Sequence, residues 1–127
     1  MDSHLDADIL IWSLRGRSEA DDLLTHFRSN GDRLMVGMMQ RVEVLFHMRP
    51  GEEVATFTLL EEMESHPLTT DIVELAATLF RRWRPSHGTG VNDALLAATA
   101  LIHGGRIVTQ NVRHFPMPGL IVERGWP

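Results

Sequence analysis

The 127-residue chain contains no cysteine, which removes disulfides, thiolate metal sites and cysteine nucleophiles together. Lysine is absent too, since all 12 basic residues are arginine. That excludes Schiff-base chemistry, a lysine general base and the lysine of a Walker A loop. Genomic base composition suffices to produce such an arginine bias. No apolar run approaches the roughly 20 residues that cross a bilayer, so no membrane span is expected. The opening "MDSHLDADIL" lacks the basic segment and cleavage site of a secretory signal, and a cytoplasmic protein is the expectation. There is also no internal repeat, low-complexity tract or linker, and the length suits one domain over residues 1–127 with a real core.

What is present fits that frame. Hydrophobic residues make up 43% of the chain, as in folded globular proteins. The net charge of −5 argues against a broad cationic surface that binds nucleic acid by electrostatics alone. It leaves room for a nucleic-acid enzyme whose acids hold metal ions, because the ions bring positive charge locally.

Short apolar runs alternate with amphipathic ones. "LDADILIWSLRG" (5–16) starts as a strand and turns helical up to Gly16. "SEADDLLTHFRSN" (18–30) opens on a serine cap with acids in its first turn. "RLMVG" (33–37) reads as a buried strand, and "MQRVEVLFHM" (39–48) as a helix that breaks at Pro50-Gly51. A helix over 52–65 follows, then a brief extended segment over 66–70 with Thr69 or Thr70 as the next cap. Residues 71–84 read as a helix whose arginines favour its C-terminal end, and "PSHGTG" (85–90) as a loop. A helix over 91–103, the strand "RIVT" and a last strand "GLIVE" complete the chain. The implied fold class is α/β, with a short central parallel sheet flanked by helices on both faces.

In such sheets, sites gather at the C-terminal ends of the strands. That rule selects Asp6, with Asp8 two residues on, at the end of the first strand. It also selects Glu43 in the helix after the second strand, Asp93 at the head of an apolar helix, and Asn111 just after "RIVT". Each has an ordinary structural role as well. Asp6 and Asp8 can cap a helix, Asp93 can serve the helix dipole, Glu43 can be a solvated helix residue, and Asn111 suits a turn. Apolar neighbours on both sides of Glu43 favour a buried or half-buried carboxylate, which needs a partner. Clustered carboxylates repel unless cations occupy the site. Oxygen-only donors suit hard ions, magnesium or manganese, and the reaction best served is metal-assisted phosphodiester hydrolysis.

The segments "LDADILIWSLRG", "RVEVLFHMRPGE", "VNDALLAATALIHGG" and "RIVTQNVRHF" resemble, in order and spacing, the motifs of PIN-domain ribonucleases, and most of all the VapC-type toxins of bacterial toxin–antitoxin modules. The resemblance spans nearly the whole chain and implies a PIN-like fold. It implies a metal-dependent endoribonuclease, with Asp6, Glu43 and Asp93 as the acids that hold magnesium or manganese. Asp8 and Asn111 are weaker candidates for that role. Thr109 is a supporting residue that orients water or an acid through its hydroxyl, or else caps the turn. The resemblance further implies an RNA substrate, a cognate VapB-type antitoxin that holds the toxin inactive, and a homodimer. Three departures stand out: Asn111 sits where many relatives carry a fourth acid, His114 where many place Asp, and Ala7 where threonine is usual.

Two other readings compete. "LDADILI" also resembles the Asp-x-Asp start of haloacid-dehalogenase-type phosphatases, but those need a lysine, as does a receiver domain. A catalytically weak PIN-like module that only binds a partner is the alternative from another class, motivated by Asn111. Among the remaining residues, His4 alternates with Asp6 and Asp8 and is expected to be partly exposed. Arg81, Arg82 and Arg84 form a run that contacts RNA phosphates or simply caps its helix. Trp12, Leu14 and Phe46 read as core or partner interface. Trp83 and Trp126 read as packed residues that could instead stack on bases.

Overall fold

In the computed structural model, which describes every residue from Met1 to Pro127, four short strands form one sheet in the order β2-β1-β3-β4. The strands are β1 (Asp2–Leu5), β2 (Arg33–Val36), β3 (Arg106–Val108) and β4 (Ile121–Glu123). All three neighbouring pairs are parallel. Between them run α1 (Ala7–Leu14), α2 (Ser18–Ser29), α3 (Met38–Phe46), α4 (Glu53–Glu61), α5 (Thr70–His87) and α6 (Val91–His103), and a 3-10 turn (Val112–His114) separates β3 from β4.

Alternation along the strands sends side chains to the two faces. Leu5, Leu34, Val36 and Val108 join Ile9, Leu24, Phe27 and Trp126 in the larger core beneath α1 and α2. Ile107 faces the other way and packs with Leu96, Ala97 and Ala100 of α6. A third cluster, including Ile72, Ala76, Ala94 and Ala98, joins α5 to α6. The alanines let the two helices approach closely. Burying an aliphatic side chain the size of Ile107 or Leu5 contributes about 1.5–3 kcal/mol, and both are fully buried.

From β1 the chain crosses to β2 on one side of the sheet and later returns to β3 on the other side. The C-terminal ends of β1 and β3 therefore border the point where strand order reverses, the preferred place for a site in an open parallel sheet. No helix is long and apolar enough to cross a membrane.

Three details correct the sequence reading. The segment 85–90 is not all loop, because α5 runs through Pro85 to His87 and ends at Gly88, whose φ of 69° provides the left-handed cap. Strand β1 includes Ser3 and His4, which are buried rather than partly exposed. Ser3 Oγ accepts from Arg106 Nε (2.9 Å) and His4 Nε2 bonds the Gly104 carbonyl (2.8 Å), so neither polar group goes unpaired. Trp12 and Phe46 are not core but lie 44% and 80% exposed.

Candidate active site

The first acid sits at the β1–α1 junction. Asp6 is the N-cap of α1, and its Oδ1 accepts from the Ala7 amide at 2.8 Å. Its other oxygen accepts from the Thr109 hydroxyl at 2.8 Å, a bond spanning 103 residues and joining the ends of β1 and β3. The same Thr109 oxygen accepts from the Asn111 amide at 3.0 Å. Thr109 thus bonds an acid and closes a turn at once.

Asp8, in the first turn of α1, points to the same edge. Its Oδ1 accepts from the Ile9 amide (2.8 Å) and its Oδ2 from the Gln110 amide (3.0 Å). Gln110 is in turn clamped to the C-terminal segment, its side chain bonding Gly125 N, Trp126 N and the Trp126 carbonyl. Trp126 is packed in the core, as its bulk suggested. Asn111 is exposed and reaches Asp8 Oδ2 only at a long 3.4 Å.

Asp93 stands at the third position of α6, where its Oδ2 accepts from the Gly90 amide at 2.8 Å, half of a capping box. His114 Nδ1 lies 3.3 Å from the same oxygen. Glu43, half-buried on α3, meets Asn92 Nδ2 on the first turn of α6. Buried Gln40 holds that turn from beneath, donating to the Asn92 carbonyl at 3.1 Å. Glu43 therefore joins the rim of the site through Asn92.

The electrostatics identify which acids share one neighbourhood. Asp6 is pushed up from 3.8 to about 7, chiefly by burial and next by the negative charge of Asp8, with Asp93 adding to it; the Thr109 and Ala7 bonds pull the other way. Asp8 is also pushed up, first by burial and further by Asp93, against the bonds from Gln110 and Ile9. No arginine is paired with Asp6 or Asp8. The two carboxyls are bonded only by neutral donors, which do not cancel charge.

As the side chains stand, no three histidines or acids converge closely enough to ligate one ion. A magnesium ion asks less, since it takes one or two carboxylates directly and keeps water elsewhere. The donor set is all oxygen, and Asp6, Asp8 and Asp93 carry mutual repulsion that a cation would relieve, so the residues fit such an ion. An apolar groove of about 300 Å³ between α5 and α6, lined by Leu68, Val73, Phe80 and Val91 among others, has none of these acids in its lining. The carboxylates outweigh it as a candidate for chemistry, because the cavity offers no polar group to a reacting atom.

Other sequence candidates fall outside. His4 is buried against the Gly104 turn and bonded there. Arg82 stacks over Trp83 (4.4 Å) and Arg84 over Phe80 (5.2 Å), so two of the three clustered arginines cover their own helix. Residues the sequence reading passed over are Asn92, Gln40 and Gln110. An uncharged amide beside a helix-heading acid, as in "VND", was the one available signal.

The match to the PIN domain family covers residues 4–117. Ribonuclease VapC10 of Mycobacterium tuberculosis is 37% identical over 114 residues, 89% of this chain and 85% of that one. Ribonuclease VapC19 of the same organism is 35% identical over 115 residues, 89% of this chain and 91% of that one. Among solved structures, a toxin–antitoxin complex from Klebsiella pneumoniae superposes with a TM-score of 0.79 at 24% identity over 98% of both chains. A DNA-bound VapBC from Salmonella typhimurium gives 0.78 at 18% identity, covering 98% of each chain. An acid edge built from Asp6, Asp8 and Asp93 on this parallel sheet, together with these matches, places the chain in the PIN-domain family.

Proposed function

We propose that this protein is an endoribonuclease that hydrolyses RNA phosphodiester bonds with magnesium or manganese and acts in the cytoplasm as the toxin of a toxin–antitoxin module. The observation that carries the reading is the uncompensated acid edge, with a buried Asp6 raised to about 7 between Asp8 and Asp93. Relatives named as ribonucleases, at 35–37% identity over 89% of the chain, support the substrate class.

Asp6, Asp93 and Asp8 would hold the ion, with Glu43 at the rim. When bound, such an ion supplies an activated water and neutralises charge on a transferring phosphoryl group. The chain's own residues do the positioning. Thr109 and the Ala7 amide fix both oxygens of Asp6, and the Gln110 and Ile9 amides fix both oxygens of Asp8. Asn111, neutral and exposed, adds hydrogen-bonding capacity at the edge without adding charge.

The similarity to toxin–antitoxin complexes supports a VapB-type antitoxin as partner. So do Trp12, Phe46, Val54 and Phe57, all at least 44% exposed on the neighbouring helices α1, α3 and α4 and their ends. Exposed apolar bulk of this kind suits a protein partner better than solvent. The apolar groove between α5 and α6 supports the homodimer. The weak binding-module alternative loses ground to the retained acids, and the phosphatase alternative to the missing lysine.

The test is cleavage of total RNA by the purified chain with added magnesium or manganese, alongside growth during expression without an antitoxin. Metal-dependent cleavage and arrested growth are expected. Full cleavage in excess chelator, or unaffected growth despite soluble expression, would overturn the reading.

A further inference from the structure

Charge is unevenly placed along this chain. The whole carries −5, yet the segments 81–90 and 111–117 together hold four arginines and no acid. We propose that Arg84 and Arg113 form a seat for the backbone phosphates of single-stranded RNA beside the acid edge. The inference rests on the ribonuclease reading and deepens it, by assigning the part of the chain that holds the substrate.

The two arginines come from different elements and meet on one connection. Arg84, near the end of α5, donates through Nη1 to the Thr89 carbonyl at 3.4 Å, and its guanidinium stacks over Phe80 at 5.2 Å. Arg113, in the 3-10 turn, donates through Nη2 to the Ser86 carbonyl at 3.1 Å. Those carbonyls are three residues apart, at most roughly 11 Å of chain, so one stretch of RNA backbone can meet both cations. Thr89 runs into Gly90, whose amide bonds Asp93, and Arg113 runs into His114, whose ring lies 3.3 Å from the same Asp93 oxygen. The pair flanks the acid at the head of α6.

Neither charge is neutralised. Arg15, Arg28, Arg33 and Arg106 each pair with a carboxylate, whereas Arg84 and Arg113 are bonded only to carbonyls. The bond from Arg113 does serve the end of α5, where carbonyls lack helical partners. A cap needs a donor rather than a full charge, and the helix end offers only about half an elementary charge in return. Each guanidinium has five N–H donors and spends one, and both residues are exposed. Held by neutral groups, they are preorganised for an anion with paired oxygens. RNA needs such a seat here, because the net charge and the acid edge both repel its phosphates. At the edge itself that repulsion is what a bound cation would relieve; the neighbouring phosphates need cations supplied by the chain.

The experiment is fluorescence anisotropy of a labelled, mixed-sequence single-stranded RNA with Mn2+ over a range of KCl. The full-length protein carries Asp6→Asn throughout, so that the RNA stays uncut. Arg84→Gln and Arg113→Gln are each expected to lower the slope of log affinity against log salt by about 0.7, or about fivefold in affinity at roughly 0.1 M salt. Arg84→Lys and Arg113→Lys keep the charge and should restore the slope. Arg28→Gln removes the same charge beside Arg33, at the N-terminal edge of the sheet, and should change neither quantity. Mn2+ affinity, titrated by calorimetry without the Asp6→Asn change, should match wild type in every variant. Unchanged slopes in both Gln variants would overturn the proposal, as would an equal loss in Arg28→Gln, which marks net charge alone. A loss that Lys fails to restore, or one that comes with weaker Mn2+ binding, would overturn it too, since that marks the arginines as structural supports. If wild type neither cuts nor binds RNA, the ribonuclease reading fails, and this inference with it.

Discussion

Two edges of the same sheet treat their carboxylates in opposite ways. At the N-terminal ends of the strands, acids meet arginines. Arg33 grips Asp2 with two bonds (2.8 and 3.1 Å) and also pairs with Glu64 (3.0 Å), while Arg106 and the N-terminal ammonium share Asp32. Asp2 is accordingly held below the usual carboxylate range by Arg33. At the C-terminal ends, Asp6 and Asp8 have only amides and a hydroxyl for company, and both are pushed up by burial. One edge is finished as a structure. The other holds an electrostatic cost that the fold alone does not relieve, and a ligand cation is what would relieve it.

The comparison breaks most visibly in catalysis. Asp6→Asn and Asp93→Asn keep shape and remove one charge each, so RNA cleavage should fall by more than the roughly 10–100-fold that loss of a merely supporting partner costs. Single-turnover rates on a defined RNA measure this. Retention of more than a tenth of the wild-type rate in both variants would separate the acid edge from the chemistry.

The next effect concerns stability without metal. Asp6 has a folded-state value raised from 3.8 to about 7. The folded protein thus binds the extra proton between those values, and the stability this brings is complete below about 4 and lost as pH rises through 7. The difference corresponds to about 4 kcal/mol at the limit. Asn keeps an acceptor for the Ala7 amide and donates to Thr109. In chelator at pH 8, Asp6→Asn should therefore be more stable than wild type by about 2–4 kcal/mol, with the advantage gone at pH 4. Urea denaturation at the two pH values gives the answer; a less stable variant at pH 8 contradicts it.

Asn111 is a smaller lever. It is exposed and meets Asp8 only at 3.4 Å, so Asn111→Ala should weaken cleavage by no more than about threefold, within one neutral hydrogen bond. Asn111→Asp adds a charge to the edge and should lower the metal concentration for half-maximal cleavage. An unchanged metal requirement would mean that Asn111 does not face the ion. The smallest effect lies on the other edge. Asp2 is lowered, so its contribution is present above pH 3.8 and is lost as pH falls through its folded value. Asp2→Asn should destabilise at pH 7 by less than about 1 kcal/mol, as exposed ion pairs do, opposite in sign to Asp6→Asn.

The sheet was legible because "RLMVG" and "RIVT" are short branched apolar runs buried on both faces, and the helices between them show their apolar spacing. Helix α5 overran its anticipated end because Pro85 sits in a last turn closed by Gly88, not by the proline. β1 was harder, since "DSHL" is polar. Its buried Ser3 and His4 find partners about 100 residues away in Arg106 and Gly104, and no local pattern reveals such pairing. The acids Asp6, Asp8 and Asp93 were readable from their places at strand and helix ends. Which of them share a field was not, and neither was the dependence of Glu43 on Asn92 or of Asp8 on a Gln110 clamped by the C-terminal segment. Those follow from how segments meet.

Thermal unfolding at pH 8 with and without manganese, for wild type and Asp6→Asn side by side, tests the central claim most directly. A cation that relieves the acid edge should stabilise wild type by about 2.7 kcal/mol at 100 times its dissociation constant, and should stabilise Asp6→Asn far less. The wild type, weaker in chelator, should overtake or approach the variant once metal is added. Equal stabilisation of both proteins, or none of either, would contradict the account.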